Sequence, residues 1–188
     1  MARALILIFT LFLTGCSTYM QAPPNTGVNG APSNEFTASG KLGIRSDEVN
    51  ESARFNWIQQ GNDYEIELLD PFGRQVMDLV GETGQVVLRS TNQPQPQVAR
   101  TPEELMQQLL GWQVPVAPAR YWIQGHPAPG IAFETAGLNQ FNQLGWQIDI
   151  LTLQQTPEGL SLPRKVRLSH EDLRLTLIIS NWQFNPAI

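Results

Sequence analysis

Apolar and polar positions alternate through most of the chain beyond residue 35. In residues 52–59, Ala53, Phe55 and Trp57 fall on one side and Ser52, Arg54 and Asn56 on the other, the period of a half-buried strand. After the turn residues Gly61-Asn62-Asp63, Tyr64, Ile66 and Leu68 alternate with Glu65 and Glu67. Residues 36–45 predict a preceding strand, bent or bulged by Gly40 and Gly43. Asp70-Pro71-Phe72-Gly73 predicts a tight turn, with proline at its second position and glycine at its fourth. Residues 76–80 and 85–90 continue on either side of a break at 81–84. Strands joined by such short turns predict an antiparallel meander with one apolar face.

The period changes after Gln93-Pro94-Gln95-Pro96. Thr101 reads as a helix N-cap, Pro102 as the first helical residue and Glu104 as the partner in a capping box. Leu105, Met106, Leu109 and Leu110 supply the apolar side of that helix, and Gly111 ends it. Residues 118–124 predict a second, shorter helix carrying Tyr121, Trp122 and Ile123, stopped by Gly125. Strand patterning resumes at Trp146, with Ile148 and Ile150 alternating with Gln147 and Asp149; Val166 and Leu168 mark another strand. Leu173, Leu175, Leu177 and Ile179 line one face of the last. Strands on both sides of a helical insert predict an α+β fold, an antiparallel sheet wrapped around short helices.

The first residues follow a different logic. Arg3, an apolar run over residues 4–13 and the small Gly15 form the three parts of a secretory signal. Ten apolar residues are too few to cross a bilayer, which takes about 20. Leu13-Thr14-Gly15-Cys16 resembles the bacterial lipobox. That resemblance implies a signal peptide over 1–15, cleavage before Cys16, a diacylglyceryl thioether on its sulfur and an acyl chain on its new amine. Ser17, neutral and directly after the cysteine, resembles the sorting position of lipoproteins bound for the outer membrane. Residues 17–34 hold no charged residue and much Pro, Gly, Asn, Thr and Ser, so 16–34 is expected to be a lipidated cysteine on a flexible tether reaching roughly 25 Å. Residues 35–188 are then one domain.

Composition narrows the chemistry. The chain carries a formal net charge of −5, and loss of Arg3 with the signal makes it more acidic, a poor basis for nucleic-acid binding. Cys16 is the single cysteine, so no intrachain disulfide supports the fold. Neither His126 nor His170 sits in a metal-ligand spacing, and no nucleophile elbow, phosphate loop or zinc helix is present. Glu103 and Glu104 lie in the first helical turn, where they complement the helix dipole better than they would serve as a catalytic pair. No catalytic residue, metal or cofactor is expected beyond the covalent lipid. Trp57, Trp112, Trp122, Trp146 and Trp182 are spread over sheet and insert alike. A curled antiparallel sheet can enclose an apolar cavity, but periodicity alone does not separate a hollow interior from a filled one.

Several runs taken together resemble the LolB family of outer-membrane lipoprotein receptors. They are Ser39-Gly40-Lys41-Leu42-Gly43-Ile44-Arg45, Ser52-Ala53 with Phe55 and Trp57, Asp70-Pro71-Phe72-Gly73, Leu110-Gly111-Trp112 with Val114-Pro115, Trp122-Ile123 with Gly125 and Pro127, Leu144-Gly145-Trp146, Leu162-Pro163 and the last strand to Trp182. The resemblance implies an open, incomplete β-barrel with helices in its mouth and an apolar cavity for acyl chains. Implied with it are a soluble periplasmic LolA-like carrier as partner, triacylated lipoproteins as cargo, the inner leaflet of the outer membrane as destination, and a monomer. Phe55, Trp57, Tyr64, Ile66, Leu68, Trp112, Trp122, Trp146, Ile148, Leu175 and Leu177 become candidates for the cavity or its supporting core. The family carries an exposed apolar residue, usually leucine, in a protruding loop that aids delivery, and Phe72 between Pro71 and Gly73 occupies that position. By residue type alone Phe72 belongs in the core. The alternatives are an outer-membrane scaffolding lipoprotein with a solid core and, more remotely, an acyl-ester hydrolase.

Overall fold

A computed structural model describes residues 24–110 and 113–184, with backbone alone at 109 and 110. Its order is β1 (Glu35–Arg45), β2 (Asn50–Gln60), β3 (Asp63–Leu69), β4 (Gln75–Glu82), β5 (Gln85–Ser90), β6 (Gln97–Ala99), α1 (Pro102–Leu110), α2 (Val116–Trp122), β7 (Phe133–Gly137), β8 (Gln140–Gln143), β9 (Trp146–Gln155), β10 (Ser161–His170) and β11 (Leu173–Phe184). The described strands form one 11-stranded sheet, ordered β6-β5-β4-β3-β2-β1-β11-β10-β9-β8-β7. Each pairing is antiparallel. Pairing of β1 with β11 joins the two meanders, while β6 and β7 remain as edges that never meet. The sheet therefore curls without closing, an incomplete barrel.

Every turn of an antiparallel meander lies at one of two ends. The β1–β2, β3–β4, β5–β6, β8–β9 and β10–β11 turns share one, called here the mouth end. The β2–β3, β4–β5, β7–β8 and β9–β10 turns share the other, the tail end.

The expected bend in β1 is a register shift between Ser39 and Gly40. There β11 approaches so closely that a side chain at Gly40 would collide with the Ile178 carbonyl, which is why glycine stands at this point. The inward faces of β2, β3 and β4 meet in register, Phe55 opposite Leu68, Leu68 opposite Met77, Trp57 opposite Ile66 and Ile66 opposite Leu79. On the other side Leu177 pairs with Val166 and Leu175 with Leu168, and Ile148 faces Leu168 in turn. Phe36, Trp122, Phe141, Ile148, Val166 and Ile179 have no measurable exposure, so the core runs under both halves of the sheet.

Helix α1 begins as its cap predicts. The Glu104 backbone N–H donates to Thr101 Oγ1 at 3.3 Å, and Glu104 Oε2 accepts from the Arg100 N–H at 3.1 Å, one residue before the usual capping-box partner. Helix α2 starts at Val116, two residues earlier than expected, because Pro118 fits the first turn, where its missing N–H costs nothing. Three strands went unpredicted: β6 has three residues, and β7 and β8 are short and rich in Thr, Gly, Asn and Gln.

The N-terminal segment corrects a second expectation. The tether expected through Asn34 is docked from Pro24 onward. The Asn139 N–H donates to the Asn25 carbonyl at 3.1 Å, the Asn29 N–H to Ser161 at 3.2 Å and the Gly61 N–H to Asn34 at 2.9 Å. Gln124 completes the strap, accepting from the Ser33 N–H and donating to the Ser33 carbonyl. Thr26, within the strap, is itself buried.

His126 lies beneath the same strap. Burial holds its imidazole below the usual histidine range, opposed by a backbone hydrogen bond with Gly30. The unfolded chain protonates this group near pH 6.5, whereas the folded chain does so only at lower pH, so folding stability rises with pH across that window. Lowering the pH from 7.5 to 5 is expected to reduce the unfolding temperature, and His126→Gln to remove part of that slope. Asp70 and Glu158, whose carboxyls hydrogen bonds hold below the usual range, add their own loss only in more acidic solution. Thermal unfolding followed by circular dichroism against pH reads the difference.

Candidate functional site

Two features stand at the mouth end, an opening into the sheet interior and an apolar turn. The opening has a cavity of about 690 Å³. Its rim comes from the β1–β2 turn (Asp47, Glu48) and the β10–β11 turn (His170, Glu171, Asp172), and Glu103 and Gln107 of α1 line it from within. Trp146, Leu173, Pro115 and Leu144 supply its apolar surface. Leu144 takes a left-handed φ of 54° in the β8–β9 turn, which leaves its side chain half exposed beside the opening. Trp146 lies against His170, rings 5.3 Å apart, and against Trp122 at 6.1 Å.

Behind Trp146 the described apolar side chains pack as one buried cluster. Trp57, Phe36 and Trp182 form an aromatic row, with centroids 5.9 and 5.6 Å from Phe36. The ring of Tyr64 lies across Gly81. Burial, reinforced by the Glu103 carboxylate, drives the Tyr64 phenol well above its ordinary range, so it remains a neutral group over the core.

Gln143 holds the helical side together. Its Oε1 accepts from Trp122 Nε1 at 2.7 Å and from the Ala128 N–H at 2.8 Å. Its Nε2 donates to the carbonyls of Ala128 at 3.0 Å and Ile131 at 2.9 Å. A single buried amide thus fixes α2 and the following loop to β8. Sequence reasoning missed it; the available signal was a glutamine alternating in phase with Phe141.

The second feature is the β3–β4 turn. The Gly73 N–H donates to the Asp70 carbonyl at 2.9 Å, and Gly73 takes a left-handed φ of 83°, which glycine adopts without strain. Asp70 Oδ1 accepts from the N–H groups of Phe72 at 2.8 Å and Arg74 at 3.0 Å. Its Oδ2 accepts from Arg74 Nε and Nη2, each at 2.6 Å. Hydrogen bonds from the Arg74 backbone and side chain, then from Phe72, keep this carboxyl below the usual carboxylate range. With its backbone tied in this way, the turn presents Phe72 outward, 86% exposed, with the Arg74 guanidinium 5.6 Å from the ring centre.

The predicted residues separate cleanly. Pro71, Phe72 and Gly73 are exposed together. Phe55, Trp57, Leu68, Trp122, Trp146, Ile148, Leu175 and Leu177 are buried in one cluster, and Tyr64 and Ile66 pack against it partly buried. Of these candidates only Trp146 also lines the cavity. Cys16 and Trp112 lie outside the described residues. Among the described residues no group of His, Cys, Asp and Glu is placed to hold a metal ion, and no helix is long and apolar enough to cross a membrane.

Comparison with known proteins assigns the class. The family described as "Outer membrane lipoprotein LolB" matches residues 34–182, so the chain belongs to the LolB family. An outer-membrane lipoprotein LolB of Nitrosococcus oceani is 32% identical, covering 96% of each chain. The LolB of Cellvibrio japonicus is 37% identical over 77% of this chain and 75% of its own. Among solved structures, a LolA superfamily protein of Nitrosomonas europaea covers 87% of this chain and 91% of its own at 8% identity, with a TM-score of 0.48.

Proposed function

We propose that this chain is a lipid-anchored outer-membrane receptor. It accepts acylated lipoproteins from a soluble LolA-like carrier and passes them into the inner leaflet of the outer membrane. The observation that carries this reading is the family match, which spans nearly the whole described domain. An open sheet with a cavity at one end and an exposed aromatic turn at the same end supports it.

The chemistry required is partition. Acyl chains gain about 0.8 kcal/mol per buried methylene, so the cargo must pass from one apolar surface to the next without entering water. Transfer runs downhill if this interior binds the chains better than the carrier does and less well than the bilayer. Cargo enters past Trp146 and Leu173, under α1, and Phe72 touches the leaflet at release. Cys16 carries the lipid that sets location, and no step calls for a catalytic group or a nucleotide.

A chain with Cys16→Ser, made without its signal, tests the acceptance step. Mixed with carrier loaded with a radiolabelled lipoprotein, it is expected to take the label into its own chromatographic peak and to bind a fluorescent fatty-acid probe. Label that stays with the carrier, together with no probe binding, would sink the receptor reading.

A further inference from the structure

We propose that the β7–β8 turn, with Leu138 at its tip, rests against the bilayer that holds the protein's own lipid, so that the mouth faces away from that bilayer. This rests on the lipid-anchor reading of Cys16 and is independent of cargo transfer. The argument starts from where the chain leaves the domain. Residues 24–34 are bonded to the β7–β8 turn through Asn139, to the β10 start and β9–β10 turn through Asn29, and to the β2–β3 turn through Gly61. The last two turns, like the first, lie at the tail end.

From Pro24 to Cys16 is a run of eight residue steps, which at full stretch spans roughly 26–29 Å. The anchoring lipid therefore lies within that radius of the tail end. Phe72 stands at the opposite end, beyond the length of β3, whose seven residues extend about 24 Å.

The surface beside the chain's exit suits a bilayer. Leu138 is 82% exposed on a two-residue hairpin, with Asn139 held at a left-handed φ of 60°. Its neighbour Asn139 is the residue bonded to Asn25, so the leucine sits one position from the docked strap. Residues 135–142 and 24–34 contain no charged side chain. The mouth rim, in contrast, carries Asp47, Glu48, Glu171 and Asp172, and no lysine or arginine lines its cavity. An anionic leaflet repels that rim, whereas the patch formed by residues 135–142 and 24–34 presents no like charge to it. One leucine partitions weakly on its own, but a short tether makes its contact intramolecular, at an effective concentration in the mM range. Two exposed apolar tips thus serve different poses. Leu138 holds the resting pose, with the mouth open to the aqueous side, and Phe72 engages only when the domain turns over on its tether.

The test uses the lipidated full chain reconstituted into phosphatidylethanolamine–phosphatidylglycerol vesicles. Because Cys16 is the single cysteine and its sulfur carries the lipid, Leu138→Cys and Phe72→Cys each give one free thiol for an environment-sensitive fluorophore. Without cargo, the label at 138 is expected to shift to the blue and to be quenched severalfold more by a lipid-borne quencher than the label at 72. Equal quenching at both positions, stronger quenching at 72, or a water-like label at 138 overturns the proposal. Failure of the chain to float with the vesicles would instead refute the anchor, a separate result.

Discussion

Phe72→Glu is expected to stop delivery while leaving acceptance and folding intact. The side chain is 86% exposed, and the turn is held by backbone and Asp70 hydrogen bonds that do not involve the ring. Substitutions at such surface positions usually change stability by no more than about 0.5 kcal/mol. At the bilayer the balance differs. Insertion of the aromatic ring contributes roughly 1.5–3 kcal/mol, and a carboxylate adds its own desolvation cost in place of that gain. A combined penalty of about 3 kcal/mol slows a step limited by insertion on the order of a hundredfold. The measurement is transfer of a radiolabelled lipoprotein from carrier to outer-membrane vesicles, with receptor-bound cargo assayed in parallel. Cargo should accumulate on the variant, and Phe72→Leu should restore release. Delivery by Phe72→Glu at the normal rate would remove this turn from the mechanism.

The largest effect on stability is expected at Gln143. Gln143→Leu keeps the volume but leaves the Trp122 and Ala128 N–H groups and the Ala128 and Ile131 carbonyls without their partner. Each unsatisfied buried donor costs about 1–3 kcal/mol, so the two donors together cost roughly 2–6 kcal/mol. For a domain of this size each kcal/mol lowers the unfolding temperature by about 2–4 °C, a total on the order of 10 °C. The consequence reaches the mouth, because Trp122 packs on Trp146, which lines the opening. Urea titration followed by tryptophan fluorescence would register both the lost stability and the altered surroundings of these indoles. A midpoint equal to that of the unsubstituted chain would mean that water replaces the amide at no cost.

Phe72 and Gln143 mark opposite limits of what a sequence conveys. The turn around Phe72 is local. Pro71 and Gly73 supply the backbone angles and Asp70 the bonds, all within five residues, so its position could be read directly. The direction of the ring could not be read in the same way, since residue type alone favours burial; resemblance to a family pointed outward, and the structure agrees. Gln143 joins groups 12 to 21 residues away, and nothing in its neighbourhood announces them.

The strap teaches a related lesson. Residues 24–34 have too few apolar side chains to build a core, and composition alone makes them a tether. They dock largely through hydrogen bonds of their backbone and of Asn29, met by turns and strand ends far along the chain, and backbone groups carry no compositional signal. Strands β6, β7 and β8 were missed for a similar reason. Short strands at or beside a sheet edge need only a neighbour's ladder, and a few polar residues suffice to accept it.

By itself the sequence determined the meander of long alternating strands, the capped helix, the turn at Phe72 and the lipobox-like start, because each depends on contacts within a few residues. Tertiary structure decided which apolar residues fill the interior and which border the opening. It decided also that the chain leaves the domain at the end opposite the mouth, and that Leu138 stands beside that exit. These depend on pairings across more than a hundred residues, such as β1 with β11, which side-chain periodicity permits but does not specify.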